Sequence, residues 1–174
     1  EDLNLSFEIT NNEYLLKNIK SNYKKIKINS KKIKISNKKE FFFIEGDLSN
    51  PELEISENLI SHIFKKELNL INFQNLKLSS SNDFSFVINK NFKISELDIK
   101  SNIGLKNLDY NSNNESIKNL LPSFNNNMRF QDHEIKLAFK DKEFKLEGEG
   151  KFLFGKVSDT IEYKILKDKK ENII

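Results

Sequence analysis

Residues 134–154 read EIKLAFKDKEFKLEGEGKFLF, and apolar and charged residues alternate along almost the whole stretch. Successive side chains of a strand point to opposite faces, so a period of two predicts β-strands with one apolar and one charged face. A tight turn at Asp141–Lys142 would pair Phe139 with Phe144, and directly opposed residues share a face. The stretch therefore predicts a long hairpin whose two strands carry one continuous apolar surface.

The same pattern continues toward the end of the chain and predicts a third strand. A loop over residues 156–159 would set Phe154 opposite Ile161. In that register Phe152 would lie opposite Tyr163. We therefore predict a three-stranded meander with a central strand of about a dozen residues, where ordinary strands have about five or six.

Two glycines, Gly148 and Gly150, fall on the apolar side of the central strand. Glycine inside a strand marks a bend, a bulge or the close approach of another group. Two interpretations remain open at this point. The glycines either curve a packed sheet or leave room for a ligand.

An earlier stretch, residues 24–36, reads KKIKINSKKIKIS and predicts another hairpin. A turn at Ser30–Lys31 would pair Ile28 with Ile33, with the isoleucines on one face and the lysines on the other. The lysines are typical of a solvated outer face that discourages edge-to-edge aggregation. Contact with anionic lipid headgroups is the alternative.

Residues 84–94, FSFVINKNFKI, predict a further hairpin. A three-residue loop over Asn89–Asn91 would pair Ile88 with Phe92, and its last asparagine can adopt the left-handed conformation that such loops need. The apolar phase shifts after this hairpin, which indicates a bulge near Ser95–Glu96.

Two stretches depart from the strand pattern. Residues 56–67 carry apolar residues at helical spacing after a possible N-cap at Ser56. Residues 115–121 form a second candidate helix, which would end before Pro122. We therefore expect one or two short helices in a chain that is otherwise β.

Composition narrows the class of protein. Net charge is only +3, and acidic and basic residues are interleaved, so the sequence has no nucleic-acid-binding footprint. The absence of cysteine excludes disulfides and thiolate metal sites. The chain begins in strand rhythm without an initiating methionine. We interpret residues 1–174 as a single β-rich segment excised from a longer repetitive chain.

Residues that could carry chemistry are scarce. The two histidines, His62 and His133, have no second ligand at metal spacing and are predicted to be ordinary polar surface residues. Glu147 and Glu149 lie on the charged face of a strand, where solvated carboxylates are the rule. We predict no catalytic residues, no metal and no cofactor, and hence a protein that is not an enzyme. An enzyme whose site cannot be recognised from one sequence remains an alternative.

Three stretches carry a resemblance to a known family. They are FFFIEGDLSNPELEIS, SSSNDFSFVINKNFKISELDIKSNIGLKNLDY and DHEIKLAFKDKEFKLEGEGKF. Together they span roughly residues 40 to 155. This part of the chain resembles the repetitive core of AsmA-like envelope proteins of Gram-negative bacteria, in particular those with a YhdP-type central region, and is similar in architecture to bridge-like lipid-transfer proteins.

The resemblance implies a mainly β fold in which a long, curved antiparallel sheet forms an open, taco-like groove with an apolar lining. It implies a periplasmic protein that is anchored in the inner membrane through its parent chain. The implied function is non-enzymatic movement of phospholipid between the inner and outer membranes, as part of outer-membrane biogenesis. The implied partners are phospholipid or another acyl-chain lipid, flanking segments of the same longer chain, and the inner membrane through an anchor outside this segment.

The resemblance and the alternation pattern together predict which residues line the groove. They are Phe84, Phe86, Ile88, Ile135, Leu137, Phe139, Phe144, Leu146, Gly148, Gly150, Phe152, Phe154, Ile161 and Tyr163. The alternative is a closed β-sandwich or barrel that acts as a structural or adhesive module of the envelope. A sandwich would bring two apolar sheets together about 10 Å apart, whereas a groove leaves the apolar face of one sheet open.

Overall fold

The computed structural model describes residues 2–23, 26–55, 73–111, 127–155 and 157–167. These residues form nine β-strands. The strands are β1 (Asp2–Thr10), β2 (Glu13–Tyr23), β3 (Ile26–Lys38), β4 (Phe41–Ile55), β5 (Phe73–Asn89), β6 (Ile94–Asn111), β7 (Asn127–Lys140), β8 (Glu143–Phe154) and β9 (Val157–Lys167).

All nine strands belong to one antiparallel sheet, in which the spatial order is the order along the chain. The edge strands β1 and β9 are not paired with each other in the described residues, so the sheet is open. The predicted class, mainly β with a long open antiparallel sheet, is confirmed. Both predicted helices, 56–67 and 115–121, lie outside the described residues. Within the described residues, no helix has the length and apolar character that crossing a membrane would require.

The predicted hairpin between β7 and β8 is confirmed. Phe139 lies opposite Phe144, and the register continues inward along both strands. Asp141 and Lys142 have φ of 50° and 71°, as a two-residue type I′ turn requires. Strand β8 has 12 residues, as the alternation predicted.

The predicted register between β8 and β9 is wrong. Phe154 lies opposite Val157, because a tight turn begins at Gly155, whose φ is +61°. Glycine adopts this conformation at little cost, so the loop is much shorter than predicted. As a result, Ile161 and Tyr163 move four residues along β8, and because four is even they stay on the predicted face.

The predicted turn at Ser30–Lys31 is also wrong, because β3 runs unbroken through these residues. The phase of the isoleucines changes at a bulge instead. The carboxylate of Asp47 accepts hydrogen bonds from the backbone N–H groups of Lys31 at 2.9 Å and Lys32 at 3.0 Å. Ser-Lys lacks the asparagine or glycine that a two-residue hairpin turn favours, whereas a bulge needs only this local partner.

The predicted pairing of Ile88 with Phe92 is wrong as well, since Ile88 lies opposite Ile94 across a longer loop. The residue in the left-handed conformation is Phe92, with φ of 58°. The side-chain oxygen of Asn89 accepts hydrogen bonds from the backbone of Asn91 and Lys93, which holds the wider loop closed. The bulge predicted just after this hairpin is confirmed by a register shift there.

Candidate functional site

One face of the sheet is apolar across most of its strands, and we call it the apolar face. The cross-strand register defines it, since directly opposed residues share a face. One row runs from Phe84 through Ile99 and Phe139 to Phe144. A neighbouring row runs through Leu137 and Leu146 to Ile165.

All fourteen residues predicted to line a groove lie on this apolar face, on β5, β7, β8 and β9. Sequence reasoning missed the contribution of β6, which lies between the predicted residues on β5 and those on β7, β8 and β9. There Ile99, Ile103 and Leu105 lie opposite Phe139, Ile135 and His133. The signal was present, because these β6 residues resume a period of two after the bulge.

The apolar face has no second layer over it in the described part of the chain. Val87 and Leu105 are the hydrophobic side chains that are buried there, and Leu105 alone belongs to this face. Toward the edges the exposed fraction reaches 51% for Phe7, 65% for Ile9 and 67% for Val157. An exposed apolar patch of this kind is typical of an interaction surface, a ligand-binding groove or an aggregation-prone region.

His133 is not the surface residue that was predicted, because its side chain is 1% exposed. It occupies the apolar face in phase with Ile135 and Leu137. Its Nε2 lies 2.9 Å from the carbonyl oxygen of Lys151, so Nε2 carries the proton and donates. Its Nδ1, 3.3 Å from the Tyr163 hydroxyl, then accepts a hydrogen bond from that hydroxyl. His62 lies outside the described residues.

The glycine pair leaves no room for a ligand, because protein side chains occupy the space above both residues. A Cβ built on Gly148 would lie 2.6 Å from Cζ of Tyr163, and one built on Gly150 would lie 2.3 Å from Cγ of His133. Burial raises the pKa of the Tyr163 phenol. The interpretation that the glycines leave room for a ligand is therefore wrong, since side chains of the chain itself fill that space.

Aromatic rings form a cluster on the apolar face around His133, across β7, β8 and β9. The ring of Phe130 lies 5.2 Å from that of Phe152 and 5.6 Å from that of His133, measured between centroids. Tyr163 closes the cluster with its ring 5.7 Å from His133. Because these rings pack on one another, this end of the apolar face is a firm surface rather than a set of mobile side chains.

A small polar group interrupts the middle of the apolar face. The Asn82 amide donates to the carbonyl oxygen of Leu48 at 3.0 Å and to Ser80 Oγ at 3.1 Å, and Ser80 in turn donates to Asn50. Asn50 also donates to the carbonyl oxygen of Lys27. These bonds are made within the sheet, so the polar atoms present little unsatisfied hydrogen-bonding capacity to an apolar ligand.

The opposite face carries interleaved charges that pair with one another. Hydrogen bonds from Lys145 and Lys164 lower the pKa of the Glu147 carboxyl. Hydrogen bonding from Arg129 likewise lowers the pKa of Asp109. Across the described ranges, no group of three or more histidine, aspartate or glutamate side chains is placed to hold a metal ion.

Comparison with family models, with curated proteins and with solved structures gives no match to this chain.

Proposed function

We propose that the chain is a segment of a lipid conduit, in which the apolar face binds acyl chains and no catalytic step occurs. The observation that carries this proposal is the broad, largely apolar face of a one-layer sheet, uncovered in the described residues. Burying an acyl chain contributes about 0.8 kcal/mol per methylene and needs no specific polar contact. An apolar surface is therefore sufficient for binding, and the lack of specific polar contacts allows a bound chain to slide.

The dimensions support the same proposal. Nine strands at the usual spacing make a face about 38 Å wide. One leaflet of a bilayer has a hydrocarbon depth of about 15 Å, half of the core thickness. The face is thus wide enough for two acyl chains laid end to end across the strands, as transfer of a lipid along a conduit would need.

The location of this activity follows from the resemblance to AsmA-like envelope proteins and is part of the proposal. The segment would work in the periplasm of a Gram-negative cell, within a longer chain anchored in the inner membrane. Phospholipid would be the cargo, and flanking segments of the same longer chain would be partners. A structural or adhesive module of the envelope is the competing function, and it would bind no lipid.

The test is photo-crosslinking of the purified chain to a phospholipid with a photoreactive acyl chain, together with native mass spectrometry for co-purified lipid. Leu146→Asp places a carboxylate on the apolar face, opposite Leu137 and Ile165, where no base is directly opposed. Phe144→Asp is a second variant, and Lys167 lies directly opposite it to moderate the new charge. Asn102→Asp adds the same charge on the opposite face, beside Lys136, and is the matched control.

We expect crosslinking to fall at least about tenfold in Leu146→Asp and less in Phe144→Asp, because an acyl chain must pass an ionised group. The control should crosslink like the unmodified chain. All three variants should melt near the unmodified chain, since water reaches a carboxylate on an open face. Absence of lipid and of crosslinking in the unmodified chain would overturn the proposal, and so would equal crosslinking in all variants.

A further inference from the structure

The edge strand β9 is the more regular of the two edges of the sheet. Its eleven residues, Val157–Lys167, pair with β8 without any register shift. The other edge strand, β1, has a bulge between Asn4 and Ser6. Proteins protect edges with bulges, prolines and charges, and β9 has charged residues but neither a bulge nor a proline. Among the described residues, its outer edge therefore offers a regular row of unpaired backbone groups to another strand.

The number of strands restricts how two copies can join into one sheet. With nine alternating strands, β1 and β9 run in the same direction. Joining β9 of one copy to β1 of another with matching faces would make a parallel pair, the less stable kind. Joining β9 to β9 around a two-fold axis normal to the sheet makes an antiparallel pair and keeps both apolar faces on the same side.

The sequence of β9 fits such a pairing when the axis passes through Tyr163. In that register Tyr163 lies opposite Tyr163 of the second copy, and Ile161 lies opposite Ile165 of the second copy. Both isoleucines and the tyrosine belong to the apolar face of their own copy. At the centre of the junction, the apolar face would therefore continue from one copy to the other.

The charges of β9 fit the same register. Glu162 lies opposite Lys164 of the second copy on the charged face, and Asp159 lies opposite Lys167 of the second copy toward the ends of the apolar face. The two-fold axis repeats each pair, so the junction contains four pairs of opposite charge. Lys164 already bonds Glu147 at 3.1 Å, which holds its ammonium group over the charged face.

Other pairings are electrostatically worse. Moving the axis by one residue in either direction places Glu162 opposite Glu162 or Lys164 opposite Lys164, which is destabilising. Strand β1 contains Asp2 and Glu8 and no basic residue, so a β1–β1 junction would have acids without partners. The complementarity is specific to β9 and to one register.

We propose that β9 of one copy pairs antiparallel with β9 of a second copy, in the register centred on Tyr163. The dimer then has one sheet of eighteen described strands. This inference does not depend on lipid transport. The dimer joins like edges, so it is closed and leaves the two β1 strands at its outer edges.

Glu162→Lys tests the charge pairing by sedimentation equilibrium of the purified chain. Within one copy, residue 162 lies opposite Glu149, so a lysine there gains an acidic neighbour and the fold should persist. In the dimer, the new lysine of each copy would lie opposite Lys164 of the other copy. These two like-charge pairs should raise the dissociation constant at least about tenfold. The double exchange of Glu162→Lys with Lys164→Glu should restore dimerisation. Glu8→Lys on β1 is the matched control and should leave the dimer unchanged.

Single cysteines test the register, because the chain contains no cysteine of its own. Tyr163→Cys places two thiols directly opposite each other, whereas in Thr160→Cys the two thiols are about 20 Å apart. Under mild oxidation the first variant should form a disulfide-linked dimer and the second should not. Melting curves confirm that each variant is folded.

Several outcomes would overturn the proposal. A monomeric unmodified chain would do so directly. A dimer that survives Glu162→Lys but is lost in Glu8→Lys would place the junction on β1, and one lost only in Leu146→Asp would indicate stacking of apolar faces. A disulfide at residue 160 without one at 163 would give a different register.

Discussion

The imidazole of His133 lies against the backbone of Gly150, so close that a Cβ on that glycine would lie 2.3 Å from Cγ and 2.6 Å from Cα of the histidine. The closeness to a backbone atom matters, because a backbone atom cannot move aside as the end of a side chain can. His133 enters the sheet at a bulge, where the neighbouring residue Asp132 has φ of 51°. The bulge and the glycine together allow a large ring to lie flat in a one-layer sheet.

Gly150→Ala should therefore destabilise the chain by about 3 kcal/mol, since overpacking against fixed backbone forces the strands apart. Gly148→Ala should cost less, about 1 kcal/mol, because the atoms nearest the added Cβ belong to the side chain of Tyr163 on the edge strand, which can shift more easily than backbone can. Gly155→Ala is a control for the loss of glycine itself, since nothing lies near it and only its φ of +61° is strained. Urea unfolding of the three variants measures the differences. Equal losses at residues 148 and 150 would contradict this account of the packing.

Tyr163→Phe should destabilise the chain by about 1–2 kcal/mol, because it leaves Nδ1 of the buried His133 without its donor. Tyr14→Phe is the matched control. Its hydroxyl makes no hydrogen bond within the described part of the chain, and its ring stacks on Phe7. Thermal melting of both variants gives the comparison. A smaller loss at residue 163 than at residue 14 would show that the His133 contact contributes little.

Asp47→Ala should cost about 1 kcal/mol, since the carboxylate accepts hydrogen bonds from two backbone N–H groups at the β3 bulge and water can replace it only in part. Asp83→Ala is the contrasting variant, because Asp83 lies directly opposite Asp47 and its removal relieves repulsion between like charges. Its effect should stay within a few tenths of a kcal/mol. Hydrogen exchange at Lys31 and Lys32 should accelerate in the first variant alone. Unchanged exchange there would argue against a role for Asp47 in holding the bulge.

Asp109 should make stability depend on acid pH. Hydrogen bonds from Arg129, first, and from Asn75 lower its pKa in the folded chain. A carboxyl with a lowered pKa stabilises the fold above its unfolded pKa of about 3.9, and this contribution disappears as the pH falls through the folded pKa. The melting temperatures of the unmodified chain and of Asp109→Asn should therefore converge as the pH falls below about 4. Arg129→Gln should make the melting temperature depend less on acid pH. Identical pH profiles for all three proteins would refute a stabilising role for the Asp109 carboxylate.

The hairpin at Asp141–Lys142 was predictable because apolar alternation on both sides of it fixes a single register. The stretch around Ser30 contains the same alternation and misled the prediction. Its change of phase can arise from a turn or from a bulge, and the sequence signal is identical for both. The bulge forms rather than a turn because Asp47, on the next strand, accepts hydrogen bonds from the backbone N–H groups of the bulge. Such a long-range partner leaves no trace in the local pattern.

The candidate site was predictable as a face but not in its details. The period of two assigned all fourteen residues to one side, since a face survives any even error in register. His133 was in phase with Ile135 and Leu137, and that phase was the available sign of its burial. A polar ring is ordinarily expected at the surface. His133 is buried because the Lys151 carbonyl and the Tyr163 hydroxyl satisfy both of its ring nitrogens, and the sequence does not show where these groups lie.

The order of strands in the sheet, which never departs from the order along the chain, has a consequence for how the molecule comes apart. Within the described residues, each strand pairs with its sequence neighbours alone, so the free energy of folding is approximately a sum of nearest-neighbour terms, as in a linear repeat array. Such a chain frays inward from its two outermost strands, and the interior hairpins open last. A hairpin gained or lost at any turn would change the width of the sheet by two strands and leave the direction and facing of every other strand intact.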